Sequence, residues 1–167
     1  MSTETATTTQ VHRVWIKATP EVVWDAITKP EWIDRYGYGG TPDWGDPPQI
    51  GPYTTSAGTG MQAGGVTGPV VDGEVIEVTP PERFVTTFRM LMDDGLKAEG
   101  FTRLTHEITP MDNGVTRLTI THELDGAPNL SLIVGGQLAD TGAGGGWAWV
   151  LSDLKSLLET GEPLGAW

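Results

Sequence analysis

Apolar and polar residues alternate along residues 11–18, with Val14, Ile16 and Ala18 on one side of an extended chain and Arg13, Trp15 and Lys17 on the other. That period of two predicts a strand with one covered face. Thr19-Pro20-Glu21 comes next and has the chemistry of a helix start. It offers a capping hydroxyl, a proline whose missing N–H costs nothing in a first turn, and an acid where the helix dipole is positive. A short helix is expected from Pro20 to about Thr28, burying Val23, Trp24 and Ile27. Pro30 breaks it, and a second short helix is expected over residues 31–35.

Over residues 36–68 the apolar period fades and glycine and proline dominate. Loop and irregular strand are expected there, with one weak strand near residues 53–57 and another starting near Gly65. A connection this long without regular structure is either a functional cover or disordered. Alternation then returns. Strands are expected over residues 70–78 and 84–92, the latter with Phe84, Thr86, Phe88, Met90 and Met92 on one side. Pro80-Pro81-Glu82-Arg83 and Asp93-Asp94-Gly95 read as turns. Residues 101–109 and 115–124 form a hairpin about Asp112-Asn113-Gly114.

The period changes to that of a helix after a glycine cluster at residues 142–146. Trp147, Val150, Leu151, Leu154 and Leu158 make one apolar stripe, while Ser152, Asp153, Lys155, Ser156 and Glu159 make the other side. Gly161 and Pro163 end it. One apolar helix stripe and one apolar face of a five-to-seven-strand sheet must cover each other, which predicts a single α+β domain over residues 11–167.

Composition narrows the functions open to such a domain. With 167 residues the chain is long enough for a sizeable core. Cysteine is absent, which removes disulfides, thiolate metal sites and cysteine nucleophiles. A formal net charge of −12 with scattered cations argues against nucleic acid and against an anionic membrane surface. No apolar run reaches the ~18 residues of a membrane span. Residues 1–10 are polar and Thr-rich and are expected to be a disordered leader, and the chain is expected to be cytoplasmic.

Several stretches have a familiar wording. VWIKATPEVVWDAIT (residues 14–28), GEVIEV (73–78) followed by PPERFV (80–85), and GWAWVL (146–151) with Leu154-Lys155, Leu158 and Glu159-Thr160-Gly161 occur in this order. Together they resemble the heat-shock-protein-90 ATPase activator homologue family. That family is a branch of the SRPBCC (START and birch-pollen-allergen-like) superfamily. The resemblance spans most of the chain and weakens over residues 36–68. It implies a helix-grip fold, in which a curved antiparallel sheet wraps a long C-terminal helix and two short helices follow the first strand. It also implies a hollow for lipids, polyketides or other hydrophobic molecules. A chaperone partner, a stress-response role and a homodimer are further readings that it leaves open.

Candidate chemistry is sparse. The hairpin puts Leu104 and His106 on the same face as Ile120 and His122, with the two imidazoles one diagonal step apart. Such a pair can act as general acid and base, hold a polar ligand atom, or be satisfied core histidines. No third ligand at telling spacing accompanies them, so no metal is expected. Trp24, Trp32, Trp44, Phe84, Phe88, Met90, Met92, Trp147 and Trp149 suit either a core or the walls of a cavity. Val150, Leu151 and Leu154 on the helix stripe complete the set of candidate cavity residues. The glycine clusters lack the lysine and hydroxyl of a phosphate loop, and no cofactor is expected. The reading is a binder of a small hydrophobic molecule. The alternatives are a cyclase, aromatase or dehydratase acting in the same hollow, and a protein-binding co-chaperone.

Overall fold

The computed structural model describes residues 8–141 and 144–165. Its strands are β1 (Thr9–Ile16), β2 (Thr41–Pro42), β3 (Gly51–Ser56), β4 (Pro69–Thr79), β5 (Arg83–Met90), β6 (Thr102–Pro110) and β7 (Thr116–Glu123). They form one antiparallel sheet in the order β1-β7-β6-β5-β4-β3-β2. Helices α1 (Pro20–Thr28) and α2 (Pro30–Ile33) carry the chain from one edge of this sheet to the other. The remaining helices are α3 (Thr59–Ala63), α4 (Asp94–Ala98), α5 (Pro128–Val134) and α6 (Gly146–Thr160). This is the expected helix-grip arrangement, with register shifts at Val75/Glu77 and Thr55/Ser56 helping the sheet to curve.

Local chemistry explains most of the boundaries. The Thr19 hydroxyl accepts from the Val22 N–H at 3.3 Å and so opens α1 as expected. Asn113 and Gly114 take φ values of 62° and 74°, the left-handed pair that closes the β6–β7 hairpin. Gly161, at φ 85°, ends α6.

Four expectations change. β1 begins at Thr9 rather than Val11, because Gln10 and His12 pair in register with His122 and Ile120 of β7. Within residues 36–68, β3 matches the strand expected near 53–57, but β2 and α3 occupy stretches expected as loop, and the strand expected to start near Gly65 starts at Pro69 as β4. Asp93-Asp94-Gly95 opens α4 instead of turning between strands, the Asp93 carboxylate accepting from the Leu96 N–H at 3.0 Å. Asp153, expected on the polar side of the last helix, is 1 % exposed. The glycine cluster falls partly outside the described residues, at positions 142 and 143.

Asp153 is buried because it holds two pieces of backbone. Its carboxylate oxygens accept from Gly37 N at 2.8 Å and Leu164 N at 2.6 Å, tying the loop after α2 and the tail after α6 to one helix. Replacing it with alanine would strand the buried Gly37 N–H and free the exposed tail at Leu164, at a cost of about 1–3 kcal/mol. Urea unfolding of Asp153→Ala should show that loss, and Asp153→Asn, which keeps one carbonyl oxygen, should recover part of it.

The interior is solid on one side and hollow on the other. Leu151 and Leu154 of α6, Val23 and Trp24 of α1, and Ile16, Ile108, Leu118 and Ile120 of the sheet form a closed cluster. The first turn of α6 projects past this cluster, so that Trp147 and Val150 face open space.

Candidate functional site

That space is a cavity of about 500 Å³ between the β3–β5 part of the sheet, the loop after α2, and helices α3 to α6. Its floor is built by strand alternation. Phe84, Thr86, Phe88 and Met90 of β5 all face inward, next to Val71 of β4, Tyr53 and Thr55 of β3, and Leu104 and His106 of β6. Trp147 and Val150 of α6 close one side, and Ile133 and Val134 of α5 another. Among the described residues that line it there is no Asp, Glu, Lys or Arg.

Most polar groups in the wall are already paired. Tyr36 donates to the Ala26 carbonyl at 2.9 Å, Tyr53 to the Thr87 carbonyl at 2.8 Å, and Trp44 Nε1 to the Thr28 carbonyl at 2.8 Å. These bonds turn amphipathic rings into apolar wall, with the polar tip committed to the scaffold. Burial accordingly raises the hydroxyl pKa of both tyrosines.

Of the candidate residues, Phe84, Phe88, Met90, Leu104, His106, Trp147 and Val150 line this cavity. The others lie elsewhere, each for a visible reason. Trp24 stacks edge-on against the far side of Phe84 at 5.8 Å. Ile120, Leu151 and Leu154 belong to the closed cluster. Trp32 sits at the margin of that cluster under the Arg35 guanidinium, 4.7 Å from the ring centre. His122 is fully buried behind Trp147. Sequence reasoning does not single out Tyr53 or the loop residues Tyr36 to Gly39 for the cavity and leaves Trp44 open between core and wall, because they come from the segment whose sequence lacks a period.

The two histidines, expected as a pair, have different surroundings. His122 Nε2 lies 2.8 Å from Thr102 Oγ1, and that hydroxyl gives its one proton to the Phe88 carbonyl at 2.9 Å. The hydroxyl can only accept from the ring, so Nε2 carries the hydrogen. Nδ1 is then the acceptor for Trp147 Nε1–H at 3.1 Å. His122 is therefore neutral, of one tautomer, fully used, and serves to fix the Trp147 wall. Burial, with His106 and His12 nearby, pushes its pKa down to about 3.

His106 has no such network. Its ring lies between Phe84 and Trp147, with centroids 6.3 and 6.2 Å away, and it borders the cavity. Its Nδ1 is buried without a hydrogen-bond partner. Burial pushes its pKa down to about 4, so it too is neutral at physiological pH. The remaining histidine, His12, faces inward beside this pair and bonds Gln10 through Nε2 at 2.9 Å. Among the described residues no group of three His, Cys, Asp or Glu side chains could hold a metal ion, and no helix is long and apolar enough to cross a membrane.

Comparison with known proteins supplies a family. Residues 17–159 match the model of the family described as Activator of Hsp90 ATPase homolog 1-like protein. No curated protein matches the sequence. Among solved structures, protein CV1439 from Chromobacterium violaceum is 24% identical, with 91% of this chain and 97% of that one covered at a TM-score of 0.64. Protein MLL2253 from Mesorhizobium loti is 23% identical over 90% of this chain and 96% of that one, at a TM-score of 0.63. The Aha1 dimer from Colwellia psychrerythraea is 19% identical over 92% and 97%, at 0.61. At these identities the likeness is one of fold.

Proposed function

The chain belongs to the family of Activator of Hsp90 ATPase homolog 1-like proteins, and we propose that its cavity makes it a cytoplasmic carrier or sensor of a small hydrophobic molecule. The observation that carries this reading is a hollow of about 500 Å³ walled almost wholly by apolar side chains, with its tyrosine and tryptophan tips tied back into the scaffold. A space of this size and lining lies in the range of small-molecule sites. It is also costly to leave empty, because the wall atoms lack contact partners on one side. The histidine arrangement favours binding over proton-transfer chemistry. His122 is occupied by Thr102 and Trp147, which leaves His106 without the second group that a general acid and base pair requires. A co-chaperone role, the reading the family's description raises, would use a surface and is separable by pull-down with the host's heat-shock protein 90.

The test is uptake of an apolar dye, N-phenyl-1-naphthylamine, followed by its fluorescence. Val71 pairs in the sheet with Thr55 and Met90, both cavity residues, and so points into the same space. Val71→Trp should fill part of the hollow, leave the unfolding midpoint unchanged or higher, and weaken dye binding by at least about tenfold. A wild-type protein that takes up no dye, or a variant that binds it as before, rejects the reading.

A further inference from the structure

We infer that the molecule held in this cavity is a neutral hydrophobe carrying one hydroxyl or carbonyl oxygen, anchored by His106, and that carboxylate-bearing lipids such as fatty acids are excluded. The inference rests on the cavity-binding reading and specifies its ligand class. Three buried polar atoms among the described residues lack a partner: His106 Nδ1, Arg117 Nε and Trp149 Nε1. His106 alone among the three residues borders the cavity. Buried polar groups are nearly always satisfied in native proteins; Nδ1 itself has no accessible surface, so the ring meets the hollow through Nε2, which no hydrogen bond among the described residues occupies and which a ligand there can complete.

The rest of the floor agrees. Thr86 lines the cavity, and because Phe84 pairs with His106 and Thr86 with Leu104, Thr86 is the diagonal neighbour of His106. These two residues make a polar spot on a floor whose other hydroxyls belong to Thr55 and to Tyr53, the latter bonded to the Thr87 carbonyl. A hydroxyl can both donate and accept, and so suits an imidazole of either tautomer; a carbonyl suits the N–H form. A carboxylate could accept from the N–H form, but it would bring an uncompensated charge into the hollow. No cation lines the wall, and the imidazole is neutral because burial lowers its pKa to about 4. A buried carboxylate without a counter-charge carries a large desolvation cost. The chain's net charge of −12 further disfavours an anion's approach.

A matched series on one scaffold tests this through displacement of N-phenyl-1-naphthylamine: biphenyl, 4-phenylphenol and biphenyl-4-carboxylate at pH 7.5. The phenol should bind about three- to tenfold more tightly than biphenyl, the range of one net hydrogen bond. The carboxylate should bind at least about tenfold more weakly than biphenyl. His106→Phe should erase the phenol's advantage, read as the ratio of phenol to biphenyl affinity within the variant, and His106→Leu gives the same ratio with a smaller side chain should the phenyl ring not fit. Equal affinity for phenol and biphenyl, an advantage that survives in both variants, or tight carboxylate binding overturns the anchor while the hydrophobic site stands. Failure of biphenyl itself to bind overturns both.

Discussion

Acidification from pH 7.5 to pH 5 should remove about 4 kcal/mol of folding stability, even though it brings the chain closer to neutral. His106 and His122 are neutral in the fold, with pKa values lowered to about 4 and about 3 by burial, whereas an unfolded histidine titrates near 6.5. Between those values the unfolded chain binds protons that the native protein refuses, so stability falls as pH falls. It is fully present above about pH 6.5 and is lost progressively down to about pH 4, where the native rings begin to charge as well. Each histidine contributes about 2 kcal/mol of this loss by pH 5. His12, whose pKa burial also lowers, adds in the same direction. Opposing it, protonation reduces the −12 net charge and relieves self-repulsion. That relief is diffuse and screened, whereas the histidine cost arises inside the protein, so the loss should win. Urea unfolding at a series of pH values measures it. His106→Phe should halve the slope, which separates the histidines from the carboxylates that titrate lower. A midpoint flat or rising from pH 7.5 to 5 would contradict the buried, neutral assignment.

The contrast between these histidines also shows where sequence reasoning stops. Strand alternation and the Asn113-Gly114 turn fix the β6–β7 register, and the register puts His106 and His122 on one face a diagonal apart. What separates them is distant in sequence: Thr102 lies 20 residues from His122 and Trp147 lies 25 away. The β6–β7 register does bring Thr102 to a diagonal of His122, beside its partner Leu104, but no periodicity encodes the meeting with Trp147. The sheet and the last helix are legible because one apolar face or stripe is a local signal that any core must use. The same logic misplaces Asp153. Its helical position is polar by pattern, but two backbone N–H groups from other parts of the chain make a buried carboxylate stable there.

The cavity's outer wall is the least legible part. Residues 36–68 supply Tyr36, Tyr38, Trp44, Tyr53 and Met61 to the lining, yet their glycines and prolines hide any period. The order there comes from tertiary ties such as Asp34, whose carboxylate accepts from Gly40 N and from Thr59 N and Oγ1. Asp93-Asp94-Gly95 shows a related ambiguity. An aspartate accepting from an N–H three residues on begins a turn and a helix alike, and only the residues after it decide between them.

Phe84 is where the solid and hollow halves of the interior meet, and its truncation should have the largest effect of any single substitution in the cavity wall. The ring is 1 % exposed, packs against Trp44 at 4.9 Å and Trp24 at 5.8 Å, and on its other side faces the cavity. Phe84→Ala should cost about 3–5 kcal/mol, because a lost aromatic leaves both the transfer term and a void. Collapse cannot recover much of it. Trp44 is held by its bond to the Thr28 carbonyl, and Trp24 is fixed in α1. The new space instead joins a hollow that already measures about 500 Å³. A ligand can therefore do what the backbone cannot. Saturating N-phenyl-1-naphthylamine at a hundred times its dissociation constant should return about 2.7 kcal/mol, and the variant should accept bulkier dyes than the wild type. Urea unfolding with and without dye reads both quantities at once. A loss below about 1 kcal/mol would show that the neighbouring rings can close the gap, and a variant that takes no bulkier dye than the wild type does would show that the hollow and the Phe84 site are not continuous.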